Sequence, residues 1–282
     1  MPTKEFIYLL SNSRSAKGSG HRMAAAIYTS SHEQLKLKWF EDDWPANLEE
    51  AKEIWLVGGD GTVNYFLNQY PGIQIPMMIF PGGTGNDIHW KIYGDLSWSE
   101  QLSKREKFTI RSVDLGLCNN SLFVNGVGIG FDGEVLKSMK AIRSIGGHLG
   151  YLLVVIQKIF SFREPEYQIT VNSQTFRKKC MLLSVANSSR TGGGFMVSPL
   201  ADIFDGLLNF FYCEPLPIWR RLLALPKVEK GTHLSLPFIH HETLKEILIQ
   251  TDDTVFAQID GELIQSNQFK IRMSEHQLNV RC

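Results

Sequence analysis

Short, unbroken apolar runs punctuated by glycine turns dominate the first third of the chain. Residues 6–10 (FIYLL), 54–57 (IWLV) and 77–80 (MMIF) each read as a strand. A polar, glycine-containing turn follows each run, and helical spacing follows each turn: from about His21 to Tyr28, through 63–68, and on through Ile92. Apolar runs without polar alternation, joined by helices, predict a parallel sheet covered on both faces. Ligands of such sheets sit beyond the carboxyl ends of the strands, where all three glycine turns fall.

After about Arg111 the pattern changes. Residues 121–125, 167–171, 181–186, 207–211, 246–249, 255–259 and 269–273 are short strand-like runs separated by turn residues. Only a few helical stretches interrupt them, notably 133–141 and 149–160. This predicts an antiparallel, sandwich-like second domain. The expected division is 1–111 and 112–282, with the extreme C-terminus packing back on the first domain.

Composition excludes more than it selects. The chain has 282 residues, 43% of them apolar and 21% charged, which is ordinary for a globular protein and enough for two cores. Lysines and arginines balance aspartates and glutamates, so no overall basic field exists to favour nucleic acid as a partner. Cys118, Cys180, Cys213 and Cys282 are far apart and read as reduced thiols. The N-terminus carries no leader pattern, and the most apolar stretch, 149–156, falls well short of the roughly 20 residues that span a bilayer. A cytoplasmic protein is expected, peripheral at most to the inner face of the membrane, with a homodimer left open.

A glycine turn between strand and helix lets backbone N–H groups approach an anion, and the helix dipole adds to the attraction. One such turn is commonplace, whereas three on one sheet edge point to phosphate. None matches a P-loop. Gly128, Gly130 and Gly133 fit G-x-G-x-x-G, but no βαβ unit surrounds them, so a dinucleotide fingerprint is rejected. Asp60 within GGDGT is the informative residue. A carboxylate beside phosphate is repulsive unless a cation intervenes or the carboxylate takes a proton during reaction. The bland alternative is a helix cap for the segment starting near Thr62.

The motifs resemble the soluble diacylglycerol kinase catalytic domain, a family that includes sphingosine and ceramide kinases and shares its first-lobe fold with NAD kinases and 6-phosphofructokinases. The resemblance rests on GGDGT at 58–62, PGGTGND at 81–87, VDLG at 113–116, NGVGIGFDGEV at 125–135, the glycine-rich segment and DGLLN within 186–210, and DGE at 260–262. It implies an N-terminal doubly wound α/β lobe like that of NAD kinase or phosphofructokinase, a C-terminal antiparallel β-sandwich lobe, and an active site in the cleft between them. It also implies an ATP- and Mg2+-dependent lipid kinase acting on a diacylglycerol-like hydroxyl at the membrane surface.

Position by position, the resemblance puts Asn12, Ser15, Lys17 and Gly18 in a first phosphate turn. Gly58, Gly59, Asp60, Gly61 and Thr62, with Gly83, Thr84, Gly85 and Asn86, wrap the phosphates. Asp60, Asp87 and Asp132 match the acidic residues that hold magnesium through water. Asp260, with Glu262 beside it, matches the proposed general base, a role that sphingosine kinases give instead to the aspartate of GGDG, here Asp60. The alternatives are a kinase of a soluble alcohol such as NAD and a nucleotide- or lipid-binding module without turnover.

Several residues depart from the family pattern. Ser13 and Ala16 stand where the first turn has proline and glycine, and residues 37–44 lack the expected threonine. His89 and Trp90 replace alanine and arginine. Asn209 removes an acidic ligand from an accessory metal site near Asp205. His240 and His241 are adjacent on a strand and so point to opposite faces, which disfavours a metal pair. Trp219, Arg220, Arg221, Leu222, Leu223, Leu225, Lys227 and Lys230 fit either a membrane-facing helix with snorkelling cations or an ordinary amphipathic one.

Overall fold

A computed structural model of the chain describes residues 5–13, 15–141 and 147–282, leaving aside the side chains of residues 16, 17, 140, 141, 147–149 and 151. It divides into two compact units, Met1–Val113 with His276–Cys282, and Asp114–Glu275.

In the first unit β1 (Phe6–Ser11) leads through a 3-10 turn at Ser15–Gly18 into α1 (Ser19–Ser31), and β2 (Leu37–Glu41) follows. Then come β3 (Ala51–Gly58), α2 (Asp60–Gln69), β4 (Met77–Pro81), α3 (Asp87–Tyr93) and α4 (Trp98–Lys104). β4, β3, β1 and β2 lie side by side, all parallel. Ile7, Leu9, Trp55, Val57, Met78 and Phe80 pack with Ala24 and Ile27 of α1 on one face, while the alternate residues Leu10, Ile54 and Leu56 are also buried. Burial on both faces is why these strands read as continuous apolar runs. The C-terminal residues return here, with Val280 pairing in parallel with Met77. They also supply Arg281, whose Nε donates to buried Glu53 at 3.1 Å, beside Arg105 Nη2 at 2.7 Å.

The second unit takes up the chain inside β5 (Ile110–Cys118) and continues with β6 (Ser121–Phe123), β7 (Gly126–Ile129), α5 (Phe131–Ala141) and α6 (Gly147–Ser161). β8 (Glu166–Val171), β9 (Gln174–Lys179), β10 (Leu182–Ala186), β11 (Leu208–Cys213), α7 (Ile218–Glu229), β12 (Ile239–Leu244), β13 (Glu246–Ile259) and the part of β14 (Glu262–Arg281) up to Glu275 complete it. The antiparallel order is β12, β11, β10, β7, β13, β14, with the β8–β9 hairpin on β13. Phe210 and Tyr212 of β11 face the core between the strands, while Phe211 and Cys213 face a second core under α5, α6 and α7.

β13 is one strand where the sequence pattern predicts two. Its pairing with β14 shifts register between Gln250 and Val255, and the polar residues 251–254 fill the irregularity. β14 runs far beyond the expected 269–273. α2 begins at Asp60 and α5 at Phe131, earlier than the apolar spacing alone indicates.

Candidate active site

The three glycine turns of the first unit meet at the carboxyl ends of β1, β3 and β4. Gly82 N donates to Gly58 O at 3.0 Å, and the hydroxyls of Ser15 and Ser19 both donate to Gly82 O, at 2.9 and 3.0 Å. A Cβ on Gly83 would sit 2.3 Å from the Cα of Gly59, so these two turns touch backbone to backbone and only glycine fits. Asn86, in the left-handed region at φ 52°, closes its own loop: Gly83 N donates to its Oδ1 at 2.8 Å and its Nδ2 donates to Gly83 O at 2.9 Å. Asn86 thus shapes the turn, a role the phosphate assignment did not specify. Gly61 and Thr84 form the exposed lip, while Thr62 is buried beneath Gly58.

Asp60 is not the N-cap of α2. Gly59 holds that position, and Asp60 Oδ1 instead accepts from Ile88 N of α3 at 3.0 Å. The carboxylate therefore ties the second turn to the third, next to buried Asp87. Asn12 accepts through its carbonyl from Ser15 N at 3.1 Å, with Gly18 at φ 89° opening α1. The Lys17 side chain lies outside the described residues. Ser13 has a partner that proline could not have: its N–H and hydroxyl both donate to Asp42, at 2.8 and 2.5 Å. His89 is buried against Gln101, at 3.2 Å, and burial pushes its imidazole below the usual value, so it is neutral at pH 7 and brings no cation to the turn.

In the second unit, Asp132 sits at the start of α5 against β7. A Cβ on Gly128 would come within 2.1 Å of Asp132 Oδ2, and one on Gly133 within 2.3 Å of the Phe256 backbone. The G-x-G-x-x-G spacing is thus a packing device that lets α5 and its carboxylate lie on the strands. Burial pushes the Asp132 carboxyl up to about 6, although part of the residue still reaches solvent. Tyr167 Oη, fully buried and without a hydrogen-bond partner among the described residues, is directed at Gly130.

Asp260 and Gly261, at φ 48° and 85°, form the two-residue turn between β13 and β14, as the twist of a type I′ hairpin requires. The buried Asp260 carboxylate accepts from the backbone N–H groups of Val124, Asn125 and Gly126 at 2.8–2.9 Å. This residue, assigned by resemblance to the base, also bolts the entry to β7. Glu262 is exposed at the first position of β14. Among the described residues no three His, Cys, Asp or Glu side chains cluster as a metal cage, His240 and His241 included. Asp205 Oδ1 accepts from Leu207 N at 2.9 Å, in the manner of an Asx turn.

An apolar pocket opens beside Asp132. Phe131, Val155, Phe195, Leu216 and Leu225 are among its walls, and Asp132 is the one carboxylate lining it. Ser19 and Tyr167 were not singled out as site neighbours from the sequence, whereas His89 stood out as a departure just after the third glycine turn. A serine opening a helix after a glycine turn is a usable signal for the first, but nothing local marks Tyr167.

Residues 7–118 match the family model described as the diacylglycerol kinase catalytic domain. Residues 125–282, more than half of the chain, match the YegS C-terminal NAD kinase beta sandwich-like domain. The chain belongs to this diacylglycerol kinase family, and so is a kinase that uses ATP. It is 26% identical over 223 residues to a Staphylococcus haemolyticus protein named "Putative lipid kinase", covering 74% of this chain and 70% of that one. A protein from Staphylococcus aureus strain MRSA252, also named as a putative lipid kinase, is 25% identical over 263 residues, covering 88% and 85%. The structure titled as a putative diacylglycerol kinase from Bacillus anthracis str. Sterne superposes with a TM-score of 0.78 at 21% identity, covering 100% of this chain and 96% of that one. No helix among the described residues is long and apolar enough to cross a membrane.

Proposed function

We propose that the chain transfers the γ-phosphoryl group of ATP to the hydroxyl of a lipid, most closely a diacylglycerol-like alcohol. The observation that carries the lipid acceptor is the apolar pocket with Asp132 as its one lining carboxylate. Ligand sites are lined mainly by apolar side chains with a few placed polar groups, and this lining follows that pattern. Apolar walls suit an acyl chain, and they offer a nicotinamide dinucleotide few polar partners.

The acceptor oxygen forms the new bond to phosphorus as the bond from phosphorus to the ADP oxygen breaks, and the hydroxyl proton passes to a carboxylate. Asp260 is the assigned acceptor of that proton, held rigid by its three N–H donors, with Glu262 beside it in sequence and Asp60 as the alternative. Gly58 to Gly61 and Thr84 to Asn86 orient the phosphates through backbone N–H groups and the N-terminus of α2, while the N–H groups of Thr62 and Gly83 brace the turns internally. The acidic groups of the first unit's turns fit magnesium as donors: Asp60, tied to Ile88 N, and buried Asp87 offer hard carboxylate oxygens in the number magnesium takes when waters and phosphates complete its shell. Asp60 and Asp87 would hold it, and it would neutralise phosphate charge.

Incubation with ATP labelled at the γ-phosphate, against diacylglycerol, sphingosine, ceramide and NAD, tests the reading. Label is expected in a lipid, diacylglycerol foremost, and to vanish in Asp60→Asn with the fold intact. Label in NAD alone, or none while nucleotide binds, would refute it.

A further inference from the structure

Helix α7 is apolar on two sides, and none of its residues is fully buried. Inward, Ala224, Leu225 and Val228 line the apolar pocket. Outward, Trp219, Leu222 and Leu223 are 58%, 37% and 65% exposed. A helix covering a core needs one apolar stripe. At 100° per residue, exposed Lys230, Lys227 and Arg220 follow on round the outward arc, and the Arg220 guanidinium lies 5.0 Å from the Trp219 ring. Glu229, the one acid between Ile218 and Lys230, is half-buried, so the outward arc is apolar and cationic with no exposed carboxylate. Arg221 fixes the orientation: Nη1 donates to Ile159 O and Phe162 O at 3.0 and 3.2 Å, and Nη2 pairs with Glu164. α7 is thereby pinned to the end of α6, where Phe160 is also 58% exposed.

We propose that the outward face of α7, with Phe160 of α6, docks on the surface of a bilayer containing anionic lipid, and that α7 is the wall an acyl chain passes to reach the pocket. Tryptophan and leucines on one side of a helix, with long cations that snorkel beside them, match the headgroup boundary of a bilayer. Because the whole chain carries no net charge, attraction to an anionic surface has to come from a local arc such as this one. The docking deepens the lipid-acceptor reading and rests on it for what enters the pocket.

Sedimentation with vesicles of phosphatidylcholine alone, and of phosphatidylcholine mixed equally with phosphatidylglycerol, tests the proposal. The unaltered chain is expected to sediment with the mixed vesicles, and Leu223→Asp with Trp219→Ser is expected to stay in solution. Replacing Arg220, Lys227 and Lys230 by glutamine should weaken binding to mixed vesicles roughly a hundredfold, at about fivefold per cation. All these positions are exposed, so unchanged thermal unfolding separates lost docking from misfolding. Equal sedimentation of the unaltered and Leu223→Asp chains overturns the proposal, as does failure of the unaltered chain to sediment. A Leu223→Asp change that splits a dimer while vesicle binding persists assigns the face to a second copy and also overturns it. Turnover on a short-chain diacylglycerol dissolved in water keeps the two readings apart. Leu223→Asp should retain that turnover and lose turnover on long-chain diacylglycerol in vesicles. If the unaltered chain phosphorylates neither lipid, the acceptor reading fails, and sedimentation alone decides the docking.

Discussion

Replacing Asp132 by asparagine should make the metal-free protein more stable at pH 8 and change little in acid. Burial raises the folded carboxyl from 3.8 to about 6, so the folded state holds its proton more tightly than the unfolded chain does. A raised folded value contributes stability that is complete below about pH 4 and is lost as pH rises through about 6. Above that range the native fold carries a carboxylate that its surroundings disfavour. About two pK units at ~1.4 kcal/mol each set a ceiling near 3 kcal/mol, and the part of Asp132 that reaches solvent brings the expected gain down to roughly 1–2 kcal/mol. Urea unfolding of both proteins in a chelator, at pH 8 and pH 4, measures it. A variant less stable than the unaltered chain at pH 8, or a difference independent of pH, refutes the reasoning. On the proposed function, that gain is the stability given up to keep a charge for phosphate chemistry.

Three further changes probe other joints. Gly83→Ala drives a methyl into the Gly59 backbone and should weaken ATP binding at least about tenfold while destabilising the fold by ~1–3 kcal/mol; calorimetric titration with undiminished affinity would contradict the interlocked turns. Glu53→Ala strips the counter-charge from Arg105 and Arg281 and should cost about 3–5 kcal/mol in denaturant unfolding. Asp260→Asn turns one acceptor toward a backbone N–H as a donor, for an expected loss of ~1–3 kcal/mol; unchanged stability with abolished turnover would reduce Asp260 to a purely chemical role.

Strands buried on both faces were legible in the sequence because they carry no polar alternation: β1, β3, β4 and the run ending in Phe210 and Phe211 stand out directly. The hairpin arm β9, QTFRKK, is exposed at nearly every position, and β12, IHHETL, has only its end residues buried. Their backbone pairing leaves no apolar signature, so β9 was not read and β12 was read as a strand only at His240 and His241. α4 is announced only by the capping box of Ser97 and Glu100. At the site, the glycine turns were legible because a backbone requirement is written locally as residue type. The bond from Ile88 N to Asp60, the three donors on Asp260 and the buried Tyr167 hydroxyl join positions distant in sequence, and no local pattern encodes them. The same holds for Ser13, which stands where the family pattern has proline: Asp42, 29 residues on, supplies its tie.

The return of His276–Cys282 to the first unit bears on how the protein is made. A ribosome delivers the chain from its N-terminus, so β1, β3 and β4 exist well before Val280 can pair with Met77 or Arg281 can reach Glu53. Until then the nascent first unit holds a glutamate beside Arg105 alone and a sheet edge at β4 without that final segment. Completion of the nucleotide unit is thus timed by translation of the other, and a ribosome stalled inside β14 would present glycine turns on a scaffold not yet closed.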